Sequence, residues 1–195
     1  MQEFKKLQLK SHATALRTNS QSRPVQKTGR KFTKMAGKPA ASDSHLIGVV
    51  SDTHGQLPDG VVTAFKGVDL IIHAGDIDKP AILEALEKIA PVTAVRGNMD
   101  RGAWADKLPM TEVVEVGQTI LYVLHDSYAL DLEPDAAGFS AVISGHTHKP
   151  ALETKNGVLF LSPGSAVMPR FNTPPCVALL RIRNGSLEPK FIELS

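Results

Sequence analysis

The stretch LIGVVSDTHG, residues 46–55, joins a short apolar run to a group of polar residues. The β-branched content and the length of the apolar run predict a buried strand over 46–50. Asp52 and His54 follow this strand directly, and both are side-chain types that bind metal ions in proteins. The stretch therefore predicts a strand that ends at a functional site.

Short apolar runs and helical patterns alternate after this strand. A helix is predicted over 57–66, a buried strand over 69–74, a helix that begins near Asp78-Lys79-Pro80, and a third strand over 92–95. Pro80 suits the first turn of a helix, and the apolar residues after it recur on one helical face. This β-α-β-α-β order predicts a mainly parallel sheet in an α/β fold.

The second half of the chain is rich in strands. Strands are predicted over 111–117, 119–125, 141–144, 158–162 and 176–182. Gly117-Gln118 and Asn184-Gly185 are turn signals, and the second pair predicts a hairpin that leads into LEPKFIEL. A strand-rich second half predicts a second sheet packed against the first.

Residues 1–42 differ in composition from the rest of the chain. They contain ten basic residues and one acidic residue, whereas residues 43–195 contain 12 basic and 19 acidic residues. Because the first segment has no helical or strand period, we expect a disordered basic leader followed by one domain over 43–195. Three origins are open for the leader: non-native or over-extended sequence with Met35 as the true start, an organelle transit peptide, or a tail for anionic partners.

Several classes of protein are excluded or disfavoured by composition. The chain has no apolar run long enough for a transmembrane helix, and no apolar run follows its N-terminal lysines, which disfavours a secretory signal peptide. Cys176 is the single cysteine, which excludes an internal disulfide. We expect a cytoplasmic protein that contacts neither membrane nor nucleic acid, with organelle import by the leader left open.

Polar residues of metal-ligand type follow one predicted strand after another. Because the carboxyl ends of strands gather at one edge of an α/β sheet, these side chains are expected to meet there. In extended backbone, residues i and i+2 point to the same side, so each D-x-H or H-x-H pair is expected to face a shared centre. His73 lies inside an apolar strand and is expected to pack in the core. The seven candidate donors are Asp52, His54, Asp76, Asn98, His125, His146 and His148.

The donor types limit the metal. Asp, Asn and His without Cys favour Mn²⁺, Fe²⁺, Co²⁺, Ni²⁺ or Zn²⁺ over a thiolate-bound structural zinc. Seven donors are too many for one tetrahedral centre, whereas two ions that share a carboxylate would use them well. We therefore expect two divalent ions, with Mn²⁺ as the first choice.

The motif series D-x-H, G-D, G-N, H and G-H-x-H resembles that of the calcineurin-like metallophosphoesterases. GHTHKP (145–150) and LSPGSAVMPR (161–170) resemble the compact bacterial and archaeal phosphodiesterase branch, which also contains the scaffold subunit of the retromer coat. The resemblance covers about residues 46–195. It implies a four-layer αββα sandwich with two mixed β-sheets packed face to face and helices outside.

The resemblance also implies a role for each donor. Asp52, His54, Asp76 and His148 would hold the first ion, and Asp76, Asn98, His125 and His146 the second, with Asp76 shared. A hydroxide between the ions would attack the phosphorus of a small phosphodiester, which yields a phosphomonoester and an alcohol. Homo-oligomers are common in the resembling branch, so a homo-oligomer is a further expectation.

This sequence departs from the family pattern at three places. Met99 stands where many members have a histidine that protonates the leaving group, Asp126 stands where Gly is frequent, and Ser162 stands where Asn is usual. Asp100 is expected either to support the site from behind the ligands or to serve only in a turn. Arg170 is expected either to meet the substrate phosphate or to be a solvated surface residue.

Two other functions use the same fold. One is a non-catalytic binding or scaffold module, and the other is a phosphomonoesterase or protein phosphatase. The intact donor set favours an enzyme over a scaffold. The short chain and Met99 disfavour a phosphomonoesterase or protein phosphatase. The loss of the histidine at position 99 predicts a bias toward diesters with good leaving groups.

Overall fold

A computed structural model of the chain describes residues 33–34 and 44–194. Among these residues, no helix is long and apolar enough to span a bilayer. Two 3₁₀ turns lie at Ala105–Lys107 and Ser127–Ala129. The helices are α1 (Asp59–Ala64) and α2 (Pro80–Glu87), and the strands are β1 (Thr33–Lys34), β2 (Ser44–Val50), β3 (Leu70–His73), β4 (Val92–Ala94), β5 (Thr111–Val116), β6 (Thr119–Leu124), β7 (Ala141–Ile143), β8 (Pro150–Lys155), β9 (Val158–Pro163), β10 (Cys176–Arg183) and β11 (Ser186–Glu193).

A five-stranded sheet has the order β11-β10-β2-β3-β4. Strands β2, β3 and β4 run parallel, which confirms the predicted β-α-β-α-β arrangement. Strands β10 and β11 are antiparallel and form the predicted hairpin. Its turn residues Asn184 and Gly185 both have positive φ, 48° and 79°, as a tight hairpin turn requires.

A six-stranded sheet has the order β1-β5-β6-β7-β9-β8. Strands β6, β7 and β9 are parallel, and the hairpin of β5 and β6 turns at the predicted Gly117-Gln118. Strand β8 was not predicted because it has no alternating pattern: residues 151–155 are all exposed. It is an edge strand whose backbone pairs with β9.

The two sheets pack face to face around one apolar core. Ile47 and Val49 of β2 face Leu121 and Val123 of β6 in that core, which confirms the α/β sandwich with two mixed sheets. Helices α1 and α2 cover the outer face of the five-stranded sheet. Over the other outer face, the described residues 126–140 form a 3₁₀ turn and loops rather than an α-helix, so the fourth layer is thin there.

Only Thr33 and Lys34 of the predicted leader are described. They form β1, which pairs in parallel with β5 at the edge of the six-stranded sheet. The prediction of a disordered leader did not include this strand. Its side-chain pattern gives no signal, because an open sheet edge accepts backbone hydrogen bonds whatever the side chains are. The remainder of the predicted leader lies outside the described residues.

Gly48 explains how helix α1 packs closely on the sheet. Phe65, at the end of α1, is fully buried and lies over Gly48. A Cβ at position 48 would lie 2.8 Å from the Phe65 ring. The missing side chain therefore lets the largest buried aromatic residue of this layer reach the strand that leads into Asp52 and His54.

Gly48→Ala should lower the free energy of unfolding by about 1–3 kcal/mol, because the added methyl group overpacks the contact with Phe65. Urea unfolding of metal-free protein measures this loss. The double variant Gly48→Ala/Phe65→Leu should lose less free energy of unfolding than the sum of the losses in the two single variants. Wild-type stability in Gly48→Ala, or simple additivity in the double variant, would contradict this packing account.

Candidate metal centre

The seven candidate donors all lie just after the carboxyl ends of five strands. The structure brings them together between the two sheets, as the sequence predicts for their position in the fold. Three of the strands belong to the five-stranded sheet and two to the six-stranded sheet. Asp52 and His54 follow β2, Asp76 follows β3, Asn98 follows β4, His125 follows β6, and His146 and His148 follow β7.

Four of the donors form one tight group. The ligand-type atoms of Asp52, His54, Asp76 and His148 all lie within 4.8 Å of one another. The Nε2 atom of His148 is 3.2 Å from Asp52 Oδ1 and 3.3 Å from His54 Nε2. These are the residues that the family resemblance implies for one ion.

The outer nitrogens of these two histidines define the tautomers. His148 Nδ1 lies 2.6 Å from the Met168 carbonyl oxygen, and His54 Nδ1 lies 3.2 Å from Asp78 Oδ2. Both oxygens accept hydrogen bonds, so each Nδ1 carries the proton in a neutral ring. Each Nε2 then carries a lone pair. The Nε2 of His148 faces Asp52 Oδ1 and lies 3.3 Å from the Nε2 of His54, an arrangement that a bound cation would stabilise.

The remaining donors form a second group beside Asp76. Asn98 Oδ1 lies 3.0 Å from both His125 Nε2 and His146 Nδ1, and Asp76 Oδ2 lies 3.4 Å from His125 Nε2. His125 Nδ1 faces the Ala74 carbonyl oxygen at 2.7 Å, which turns its Nε2 inward, where the neutral ring would present a lone pair to a cation. Asp76 therefore adjoins both groups.

The buried carboxylate of Asp52 provides an independent test of the fit to a cation. Asp52 is fully buried, and its Oδ1 atom has no hydrogen-bond donor among the described residues. Burial raises the pKa of the Asp52 carboxyl above its ordinary value, against the effect of a hydrogen bond from Ser51. The other oxygen, Oδ2, accepts the His146 N–H at 3.2 Å. A buried carboxylate oxygen without a hydrogen-bond donor is costly unless a cation compensates it, so these ligand types fit divalent metal ions.

Asp76 and His125 stabilise each other's charged forms. Burial disfavours both charges, but their interaction outweighs it: the pKa of His125 is raised and the pKa of Asp76 is lowered. The backbone N–H of Met99 adds to the effect by donating to Asp76 Oδ1 at 2.8 Å. Asp76 is thus held as a carboxylate, the form that binds metal.

The backbone at the donors is left-handed rather than extended. Asp52, His54 and Asp76 have φ of 54°, 44° and 55°, and His146 and His148 have φ of 69° and 59°. The explanation of the D-x-H and H-x-H spacing by extended backbone was therefore wrong. The donors lie in tight turns after the strands, and His146 and His148 face different groups. Non-glycine residues with positive φ are strained, and here the strain is concentrated at the site.

Two glycines permit the close approach of these turns. A Cβ at Gly97 would overlap the backbone nitrogen and carboxylate of Asp76, and one at Gly145 would overlap Ser51 Oγ. Gly97 brings the loop after β4 against the loop after β3, and Gly145 brings the loop after β7 against the end of β2. These contacts let donors from both sheets share one centre.

Asp100 connects the loops that carry the central donors. Its side chain is buried, and its carboxylate accepts hydrogen bonds from four backbone N–H groups. The distances are 3.1 Å from Asp76, 2.7 Å from Ile77, 2.8 Å from Asp78 and 2.7 Å from Gly97. Asp100 therefore lies behind the ligands, at the place where the loop after β3 meets the loop after β4.

Two further carboxylates contact the histidines. Asp78 faces His54 Nδ1 at 3.2 Å, a contact that sequence reasoning missed because Asp78 was interpreted only as part of a helix start. The D-x-D pair formed with Asp76 was the available signal. Asp126 accepts the Tyr128 N–H at 2.9 Å, and its other oxygen lies 3.9 Å from His146 Nε2.

The other residues singled out from the sequence lie as follows. Met99 is exposed next to Asn98. Arg170 is exposed on the loop above His148, whose carbonyl oxygen accepts the Arg170 N–H at 3.4 Å. His73 is fully buried and bonded to Thr53 Oγ1 at 3.0 Å, and burial lowers its pKa to about 3. It is therefore a neutral core histidine, as its place in the strand predicts.

Comparison with known proteins gives a family match. A model of the calcineurin-like phosphoesterase superfamily domain matches residues 46–185. A probable metallophosphoesterase of Methanothermobacter thermautotrophicus is 38% identical over 159 residues, which cover 75% of this chain and 91% of the relative. A phosphodiesterase of Methanocaldococcus jannaschii is 26% identical over 136 residues, covering 60% of this chain and 82% of that protein.

The fold also resembles that of solved structures. Vacuolar Protein Sorting 29 from Cryptosporidium parvum superposes with a TM-score of 0.61 at 21% sequence identity. The match covers 78% of this chain and 98% of that one.

Asp100→Asn should lower the free energy of unfolding by about 2–4 kcal/mol, because an amide oxygen cannot satisfy four donors that a carboxylate holds with charge. The variant should also bind Mn²⁺ more weakly, since the loops that carry Asp76 and Asn98 lose their common anchor. Urea unfolding of metal-free protein and calorimetric titration with Mn²⁺ measure the two effects.

The matched control is Asp106→Asn, which removes an exposed partner of Arg96 at 2.9 Å. An exposed ion pair contributes about 1 kcal/mol or less, so this variant should be nearly as stable as the wild type. Equal losses of unfolding free energy in Asp100→Asn and Asp106→Asn would show that the buried hydrogen bonds of Asp100 do not hold the two loops together.

Proposed function

The chain belongs to the calcineurin-like phosphoesterase superfamily, and from this membership we propose that it is a metal-dependent phosphodiesterase. The observation that carries the proposal is the tight group of Asp52, His54, Asp76 and His148, in which His148 Nε2 faces a buried Asp52 oxygen that accepts no hydrogen bond from the described residues. The phosphodiesterase named among its relatives supports the choice of a diester as substrate.

We assign one divalent ion to the group of Asp52, His54, Asp76 and His148, and a second to the group of Asp76, Asn98, His125 and His146. Mn²⁺ is the proposed ion, with Ni²⁺, Fe²⁺, Co²⁺ and Zn²⁺ as alternatives that suit the same donors. Two such ions supply an activated water at neutral pH and stabilise negative charge at phosphorus.

The protein's own residues prepare the site for this chemistry. The carbonyl oxygens of Ala74 and Met168 and the carboxylate of Asp78 hold the outer nitrogens of three histidines, and so orient the inner nitrogens. In the net reaction, an oxygen of water forms a bond to phosphorus and the bond from phosphorus to the alcohol oxygen breaks. The departing oxygen takes up a proton, which leaves a phosphomonoester and an alcohol.

Met99 determines the preferred leaving group in this proposal. The thioether of methionine carries no proton to donate, and the Met99 N–H is already engaged with Asp76 Oδ1 at 2.8 Å. An alkoxide leaving group therefore receives no help from this position, whereas an aryl oxide needs little. The proposed substrate is a diester with a good leaving group.

A non-catalytic binding module is the competing candidate, because the fold is shared with Vacuolar Protein Sorting 29. A phosphomonoesterase is a second competitor. The free-energy cost of the site argues against the binding module. Asp52, Asp76 and His148 have strained backbone and buried polar atoms that a binding surface does not need.

Purified protein loaded with Mn²⁺ or Ni²⁺ should hydrolyse bis(p-nitrophenyl) phosphate, and turnover should stop on chelation. Asp76→Ala and His146→Ala should each lower kcat/KM by at least about 100-fold, because each removes a ligand rather than an outer contact. Asp106→Asn serves as the control with near wild-type rates. Failure of metal-loaded protein to turn over this diester would falsify the enzyme proposal, and faster hydrolysis of p-nitrophenyl phosphate would indicate a monoesterase.

Met99→His should raise turnover more for a diester with an alkyl leaving group than for one with an aryl leaving group. General-acid help contributes about 10²–10⁴ in rate where the leaving group is poor. Steady-state rates for methyl and p-nitrophenyl leaving groups measure the difference. Met99→Gln, of similar size and without an acidic proton, is the control. An equal effect of Met99→His on both substrates would contradict this role of position 99.

A further inference from the structure

Exposed apolar side chains are concentrated around the candidate metal centre. The described part of the chain has seven exposed large hydrophobic residues. Two of them lie on loops that hold donors, and two more lie on the loop between β9 and β10, whose backbone contacts His148. These four are defined here as the apolar ring: Met99, Tyr128, Met168 and Phe171, with exposed fractions of 44%, 86%, 53% and 75%.

Backbone contacts connect two members of the ring directly to donors. The N–H of Met99 donates to Asp76 Oδ1 at 2.8 Å, and the carbonyl oxygen of Met168 faces His148 Nδ1 at 2.6 Å. Asp76 adjoins both groups of donors, and His148 belongs to the first group. The two methionines therefore come from separate loops that border the same centre.

The two aromatic members of the ring are connected to donors through one intervening residue each. The N–H of Tyr128 donates to Asp126, whose other carboxylate oxygen is 3.9 Å from His146 Nε2. Phe171 follows Arg170, whose N–H donates to the His148 carbonyl oxygen at 3.4 Å. The centre of the Phe171 ring lies 5.9 Å from the Nζ of Lys149, the residue that follows His148.

Tyr128 also lines a groove of about 770 Å³ on the outer face of the six-stranded sheet. Leu132 and Phe160 contribute apolar surface to this groove. Three acidic residues, Glu133, Asp135 and Glu153, line the groove together with one basic residue, Lys155, which pairs with Glu153 at 3.1 Å. The groove therefore extends the ring with apolar surface and disfavours a second phosphate group.

We propose that the apolar ring binds the alcohol parts of the substrate, so that the substrate class is a diester with a single phosphate and at least one aromatic or other bulky apolar ester group. This inference rests on the proposed function. A phosphate held at the donors places its two ester groups against the surrounding loops. Covering the exposed methionine and aromatic side chains with an apolar ester group removes both surfaces from water.

The test compares substrates that share the p-nitrophenolate leaving group and differ in the second ester group. Wild type, Phe171→Asn and Tyr128→Ser are loaded with Mn²⁺ and assayed with p-nitrophenyl phenyl phosphate and with methyl p-nitrophenyl phosphate. Asn suits the positive φ of 59° at position 171, and both side chains are exposed, so the fold should be retained.

Each variant should lower the phenyl-to-methyl ratio of kcat/KM by about 3- to 10-fold, the loss expected for an aromatic contact. Mn²⁺ stoichiometry measured by calorimetry should be unchanged, because no donor is altered. Val62→Ser is the matched control: Val62 is an exposed apolar residue on α1, 43% exposed, and its substitution should leave the ratio at the wild-type value.

The outcomes separate two kinds of failure. If metal-loaded wild type releases p-nitrophenol from neither ester, the proposed function fails and this inference fails with it. If wild type hydrolyses both esters but the ring variants keep the wild-type ratio, the proposed function stands and the inference is overturned. The inference is also overturned if light scattering shows that Phe171→Asn dissociates an oligomer while the ratio stays constant, because the ring would then be a contact between copies.

Discussion

The carboxylate of Asp100 accepts four backbone hydrogen bonds, and the geometry of the candidate metal centre depends on them. Three of the N–H groups belong to the loop after β3, and the fourth belongs to the loop after β4. The first loop carries Asp76, which adjoins both groups of candidate ligands, and the second carries Asn98. A buried anion that satisfies these N–H groups holds the two loops at a fixed distance, since losing it would leave several buried donors unpaired.

The site combines this anchor with strain that the surrounding fold tolerates. Left-handed backbone at Asp52, Asp76 and His148 is unfavourable in isolation. The neighbours of Gly97 and Gly145 lie so close that neither position has room for a side chain. The apolar core between the sheets fixes the strand ends from which these turns depart. The stability of the core thus holds the polar side chains in the arrangement expected of a preorganised metal site.

The sequence predicted the parts of the molecule that depend on local pattern. The parallel strands β2, β3 and β4, the hairpin at Asn184-Gly185 and the meeting of the seven donors all follow from periodicity, turn residues and strand ends. Strand β8 was missed because its side chains carry no pattern. The contacts of Asp78 and Asp100 were also missed or left open, because they are made across loops 22 to 24 residues apart. Spacing alone cannot distinguish an extended pair from two left-handed turns, which is why the explanation of the H-x-H motif failed.

The central claim is that the two groups of donors are two metal sites that share Asp76. Crystals of the protein grown with Mn²⁺ and measured at the manganese absorption edge test it most directly. Two anomalous peaks are expected, about 3.5–4 Å apart as in two-metal phosphoesterase sites, with Asp76 touching both. A single peak, or a pair of peaks of which one does not touch Asp76, would contradict it.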